Sequence, residues 1–209
     1  MRKIILLIIA VAFFTTNAQG FPILDDYATY STIEESSVSI FSVGEYFTVC
    51  SGVICGVNET KTFVLTAKHC IQPVEEMYAN EKKVDVIITS SNDDLALLII
   101  KGRINNKKET QIGKYLYAGD KVYTIGYPGL SLKPRKAKGE VIRFTDDWGY
   151  STAEVINGCS GSGFFNRKGE LVGIVWGGGV GDVSVFEPLK DVNEFLETIN
   201  YETLIKNEL

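Results

Sequence analysis

The chain has 209 residues, 45% of them hydrophobic and 22% charged, which is enough apolar content for one compact core or two small ones. A formal charge of -5 argues against a nucleic-acid surface, because phosphate binding needs a net basic face. Twenty glycines against two methionines suit a turn-rich β protein.

The chain opens like a secretory signal. Arg2 and Lys3 form a basic start, Ile4 to Phe14 an apolar run, and Thr16-Asn17-Ala18 a small-residue cleavage pattern. Cleavage is expected after Ala18, with Gly20 as the alternative. The apolar run is shorter than the roughly 20 residues a membrane span requires. No cysteine stands at a lipid-attachment position behind it. The mature protein is thus expected to be secreted or periplasmic, with no membrane span. Cys50, Cys55, Cys70 and Cys159 suit that oxidising compartment. A zinc site is not expected, because there is no second histidine and the cysteines are not paired as in zinc modules. No metal or cofactor is called for.

Short runs rich in Val, Ile, Phe and Tyr then recur between turn residues. They predict strands at Val38–Phe41, Tyr46–Ile54, Thr62–Thr66, Val84–Ser90 and Leu95–Lys101. The polar segment Lys101 to Thr110 divides these from a second set. That set is Lys121–Gly126, Gly139–Phe144, Tyr150–Val155, Gly163–Asn166, Leu171–Trp176 and Val183–Phe186. Lys133, Arg135, Lys136 and Lys138 form one basic cluster, read as a solvated loop between strands. No helix-period segment appears before residue 188. After it, Val192, Phe195, Leu196 and Ile199 share one helical face, and Pro188 suits the first turn. The division expected is 1–18 signal, 19–105 a first β unit, and 106–209 a second β unit with the helix.

Three segments carry chemistry. The single histidine, His69, lies in T-A-K-H-C. Asp94 opens the apolar run D-L-A-L-L-I-I. Ser160 lies in N-G-C-S-G-S-G. A serine hydroxyl is a weak nucleophile until a base takes its proton, and that base needs an orienting group. His69 is the side chain suited to that base role near neutral pH. Histidine, aspartate, serine is one of the chain orders in which this triad occurs.

C-S-G-V-I-C-G followed by F-V-L-T-A-K-H-C resembles the first-barrel signature of trypsin-like serine proteases. S-G-S-G-F-F-N-R-K-G-E-L-V-G-I-V-W-G-G resembles the secreted bacterial glutamyl endopeptidases. G-D-K-V-Y-T-I-G-Y-P-G, Gly119 to Gly129, is similar to that branch and to the periplasmic heat-shock proteases. The resemblance implies an all-β, chymotrypsin-like fold of two six-stranded antiparallel barrels with a C-terminal helix. It puts His69 at a strand end of barrel one and selects Asp94 over Asp93, because the aspartate directly precedes a strand. Ser160 would come from barrel two, making the cleft between barrels the active site. A Cys50–Cys70 disulfide is implied beside it. Cys55 and Cys159 match no family partner, so a second bridge and two free thiols both stay open.

In the cysteine-nucleophile relatives, glycine stands just after the nucleophile and two before it. That frame selects Ser160 over Cys159, and it assigns the N–H groups of Gly158 and Ser160 to the oxyanion hole. Cys159 stands where the digestive members keep an aspartate that pairs with a newly cut N-terminus, so that activation switch is not expected. The substrate pocket is implied at Glu154, Val155, Val175, Trp176 and Gly177. Val175 and Val155 replace two polar determinants of glutamate binding, so glutamate preference is not expected. Glu154 falls where trypsin-type enzymes keep an acidic pocket floor. It is read either as that floor or as a solvent-facing loop residue. The expected function is a serine endopeptidase acting on protein or peptide substrates through an acyl-enzyme. The alternative is a catalytically silent homologue that binds proteins. A thiol redox protein lacks any C-x-x-C pair.

Overall fold

The first β unit is built around β-branched runs that are buried on both faces. The computed structural model describes residues 22–44, 47–71, 74–129, 133–178 and 183–206. The signal-like segment and the cleavage point after Ala18 lie outside the described residues. Strands β1 (Ser37–Gly44), β2 (Thr48–Val57), β3 (Lys61–Ala67), β4 (Val74–Ala79), β5 (Lys82–Lys83), β6 (Val86–Thr89) and β7 (Leu95–Lys101) form one antiparallel sheet. Its order is β5-β4-β1-β2-β3-β7-β6. Strands β8 (Lys121–Gly126), β9 (Arg135–Phe144), β10 (Gly149–Ser151), β11 (Gly163–Phe165), β12 (Leu171–Gly178) and β13 (Ser184–Pro188) close into a barrel of order β10-β13-β12-β11-β8-β9.

The all-β, two-unit architecture matches the expectation. The first unit differs in being a seven-stranded sheet with β5 and β6 at its ends. The β4–β5 hairpin supplies the extra strand. Asn80 and Glu81 at its tip have φ of 44° and 69°, the left-handed pair that a tight two-residue hairpin requires.

Strand β7 shows why the centre of this sheet is buried on both faces. Leu95, Leu97 and Ile99 face a core shared with Tyr123, Ile125, Phe165 and Ile174 of the barrel. Leu98 and Ile100 point the other way, into a core with Val38, Ile40, Ile54 and Val64. The period-2 alternation of side chains thus feeds two cores from one strand. Fully burying each such side chain contributes about 1.5–3 kcal/mol. The barrel interior is a third cluster, including Phe164, Val175 and Phe186. The shared core fixes the seam between the two units, and the site lies on that seam.

Three expectations are corrected. A helix, α1 (Pro22–Glu34), precedes the strands. Its sequence has no apolar stripe of helical period, and tertiary contacts hold it instead. Asp26 accepts the Tyr123 hydroxyl at 2.9 Å, Thr29 Oγ1 donates to Arg167 O at 3.0 Å, and Ile33 is fully buried in the shared core. The basic cluster is not a loop, since Arg135, Lys136 and Lys138 lie in β9. There they pair with Glu154, Glu34 and Asp26. The C-terminal helix α2 (Leu189–Thr198) buries Val192, Phe195 and Leu196, as its period indicates, with Pro188 one residue outside it. A further helix, α3 (Tyr201–Lys206), follows across the left-handed Asn200.

Candidate active site

Strand β3 ends at Ala67, and the chain tightens into a 3-10 turn over Lys68–Cys70. Cys70 is bonded to Cys50 of β2, with Cα atoms 6.2 Å apart, which ties the turn to its neighbouring strand. His69 Nδ1 lies 2.5 Å from Asp94 Oδ2, and the His69 N–H donates to Asp94 Oδ1 at 2.7 Å. The Lys68 N–H donates to the Asp94 carbonyl at 3.0 Å. Asp93 is occupied elsewhere: its carboxylate accepts the Ser90 hydroxyl at 2.9 Å within the turn. Asp94 is therefore the aspartate that meets the histidine.

Ser160 sits in the turn between β10 and β11, flanked by glycines in left-handed conformations, Gly158 at φ 94° and Gly161 at φ 81°. The turn is clamped from the first sheet. The Ser51 N–H donates to Ser160 O at 2.8 Å, and Ser51 Oγ donates to Gly158 O at 2.8 Å. Ser162 Oγ donates to Cys159 O at 2.7 Å from behind. With those carbonyls held, the N–H groups of Gly158 and Ser160 meet no acceptor among the described residues. Ser160 Oγ donates to the Trp176 carbonyl at 2.8 Å. The Trp176 ring lies 5.8 Å from the His69 ring, so Trp176 bridges the serine and the histidine–aspartate pair.

The pocket residues divide. Trp176 is 40% exposed and lines a cavity on the Asp94 side of the site, which neither His69 nor Ser160 lines. Gly177 lies at the serine, with Ser160 Oγ 3.9 Å from where its Cβ would stand. Val175 is fully buried inside the barrel, and Val155 packs against the same cluster. The Glu154 side chain is 70% exposed and its Oε1 is 2.9 Å from Arg135 Nη2. That is the geometry of the solvent-facing reading, not of a buried pocket floor. Cys55 and Cys159 are both free and buried, so no bridge joins them. Burial pushes the Cys55 thiol up to about 12 and raises Cys159 as well.

Other residues at the site carried no sequence motif. Glu187 of β13 accepts the Asp94 N–H through Oε1 at 2.8 Å. Burial pushes its carboxyl up to about 7, and Asp191, Asp93 and Asp94 push in the same direction. Burial likewise pushes Asp191 up to about 6. An acid inside the apolar strand V-F-E-P was the available signal for Glu187. Trp148 packs edge-on to Trp176 at 5.8 Å. Trp148 and Trp176 wall a cavity of about 710 Å³ that also admits Asp93, Glu187 and Asp191. The carboxylate oxygens of those three acids lie within 4.8 Å of one another, the one grouping of metal-type donors among the described residues.

The family model described as "Trypsin-like peptidase domain" matches residues 50–174. No curated protein sequence matches the chain. Among solved structures, it is similar to the Rv3671c protease from M. tuberculosis in its active form. That match has a TM-score of 0.70 and 18% identity, and covers 85% of this chain and 86% of the other.

Proposed function

The chain belongs to the trypsin-like peptidases, and on that premise we propose that it is a secreted or periplasmic serine endopeptidase using Ser160, His69 and Asp94. The observation that carries this is the His69 Nδ1–Asp94 Oδ2 contact of 2.5 Å, across a seam from a serine held in a glycine turn. In this reading Asp94 fixes the histidine tautomer and stabilises the imidazolium. His69 takes the Ser160 proton as Oγ attacks the peptide carbonyl, then passes it to the leaving amine. The free N–H groups of Gly158 and Ser160 receive the oxyanion. Water then hydrolyses the acyl-enzyme by the reverse proton path.

One bond favours the alternative of a silent, protein-binding homologue. The only proton of the Ser160 hydroxyl is donated to Trp176 O. Attack requires that proton to swing to His69. Labelling with a fluorophosphonate separates the two readings, because it requires an activated serine. Stoichiometric labelling of wild type, lost in Ser160→Ala and His69→Ala, supports the peptidase. An unlabelled, folded wild type supports the binder.

A further inference from the structure

We infer that Glu187, on the barrel that bears Ser160, is a positioning residue for the Asp94–His69 pair on the opposite sheet. The inference rests on the proposed triad. Four polar groups of Asp94 are engaged. Its two carboxylate oxygens take the His69 N–H and Nδ1, and its carbonyl takes the Lys68 N–H. All three of these partners lie in the turn that carries the histidine. The fourth group, the Asp94 N–H, is held by Glu187 Oε1 at 2.8 Å, and Glu187 stands 93 positions along the chain. This bond crosses from the first sheet to β13, which pairs with β12, the strand bearing Trp176. The Asp94 end and the Ser160 end of the site are thereby tied across the seam.

The chemistry of this acceptor is informative. Glu187 is only 3% exposed. A neutral amide or hydroxyl would accept the same N–H without burying an ionisable group, and burying a carboxylate is costly. The surroundings oppose its charge. The cavity it opens into brings Lys68 and Asp93 from the first sheet, Asp146 and Asp147 from the β9–β10 turn, and Lys190, Asp191 and Glu194 from α2. Lys190 offsets Asp191 and Glu194 only in part. Lys68 Nζ donates to Ser90 O at 2.6 Å, and Lys190 Nζ lies 3.9 Å from Asp191 and 4.0 Å from Glu194. Glu187 therefore acts on the pair through its oxygen, which accepts the Asp94 N–H in either protonation state and fixes where Asp94 sits.

Two variants test this. Glu187→Gln keeps the acceptor, whereas Glu187→Ala removes it. In Glu187→Ala, kcat for a peptide substrate falls about tenfold while KM stays within about twofold, and the glutamine variant restores most of that loss. A folded Glu187→Ala variant with wild-type kcat overturns the inference, and so does a glutamine variant as impaired as the alanine one. If the alanine variant does not fold, the kcat of Glu187→Gln decides alone. Wild type that resists fluorophosphonate defeats the triad reading instead; hydrogen exchange of the Asp94 amide then still tests the bond, speeding up in Glu187→Ala and not in Glu187→Gln.

Discussion

Gly161 has no room for a side chain because Thr66 Oγ1 lies 2.1 Å from where its Cβ would stand. Ser51 O is 2.3 Å from the same point, and φ at Gly161 is 81°. Ser160 therefore rides on a turn pressed against the backbone of β2 and the end of β3, the strand that leads to His69. Contact this close sets the serine at a fixed height over the seam. Gly161→Ala is expected to break the fit twice, through the left-handed backbone and through the clash with Ser51 O. The strain alone costs about 1–3 kcal/mol. Melting temperature should drop by several degrees, and fluorophosphonate labelling should fall even below the melting transition. Wild-type labelling in a stable Gly161→Ala protein would show that the turn can back away.

Ser160→Ala should abolish peptide hydrolysis with the fold intact, since removing a triad nucleophile costs roughly a million-fold in kcat. Cys159→Ala should keep most activity. The Cys159 thiol is buried against Gly126, whose added Cβ would stand 2.6 Å from Sγ, and burial raises its pKa. A raised thiol pKa leaves little thiolate to attack. Steady-state kinetics on both variants checks this. An active Ser160→Ala enzyme and a dead Cys159→Ala enzyme would reverse the assignment.

The strands and the candidate triad were legible for a local reason. Leu95–Lys101 and Lys121–Gly126 are apolar runs bounded by turn residues, and both strands occur with those bounds. His69, Asp94 and Ser160 each sit in a short segment whose neighbours serve the same turn or strand end. What was illegible depends on distant partners. Helix α1 lacks an apolar stripe and is held by Tyr123, Arg167 and the shared core. Strand β4, reading V-E-E-M-Y-A, does not alternate, and its pairing with β1 defines it. Glu187 has meaning only beside Asp94, which no local pattern reveals.

The Cys50–Cys70 bond closes a loop across a separation of 20 residues. Restricting the unfolded chain to that extent stabilises the fold by ~3 kcal/mol in the chain-entropy account. Cys50→Ala/Cys70→Ala is expected to lower the urea midpoint accordingly. Activity should fall further than stability, because Cys70 follows His69 directly and anchors its turn. Denaturation curves and kcat measured on folded protein separate the two effects. Unchanged values for both would show that the bridge carries neither load.

Stability should depend on pH in an unusual direction near neutrality. Glu187 is pushed up to about 7 and Asp191 to about 6, from ordinary carboxylate values of 4.5 and 3.8. Between those values the folded chain holds protons that the unfolded chain releases. Protonation thus favours the fold, and these two groups lower stability as pH rises from about 4 to 7. The Glu187 share is on the order of 3 kcal/mol, and the joint effect is less than the sum because the two groups interact. Glu187→Gln should melt several degrees higher than wild type at pH 8 and near it at pH 4.5. Parallel melting profiles for the two proteins would show that Glu187 titrates normally.

Cleavage after glutamate should not dominate. A pocket that accepts a glutamate side chain must replace the water around its carboxylate with donors or cations. Val175 offers neither, being fully buried among Phe164, Val172 and Phe186, and Val155 packs against the same apolar cluster. An unpaired carboxylate there would lose several kcal/mol of hydration without compensation, whereas an uncharged side chain would not. Glu154 does not convert the pocket to basic specificity either. Its carboxylate faces solvent and is already engaged by Arg135, and an exposed pair of this kind contributes little binding energy. A peptide library should therefore show preference for uncharged residues on the acyl side of the cut. Glu154→Gln should leave that profile unchanged. Dominant cleavage after glutamate would mean that donors outside this pair of valines hold the carboxylate. Cleavage after lysine or arginine that disappears in Glu154→Gln would mean that Glu154 turns inward when substrate binds.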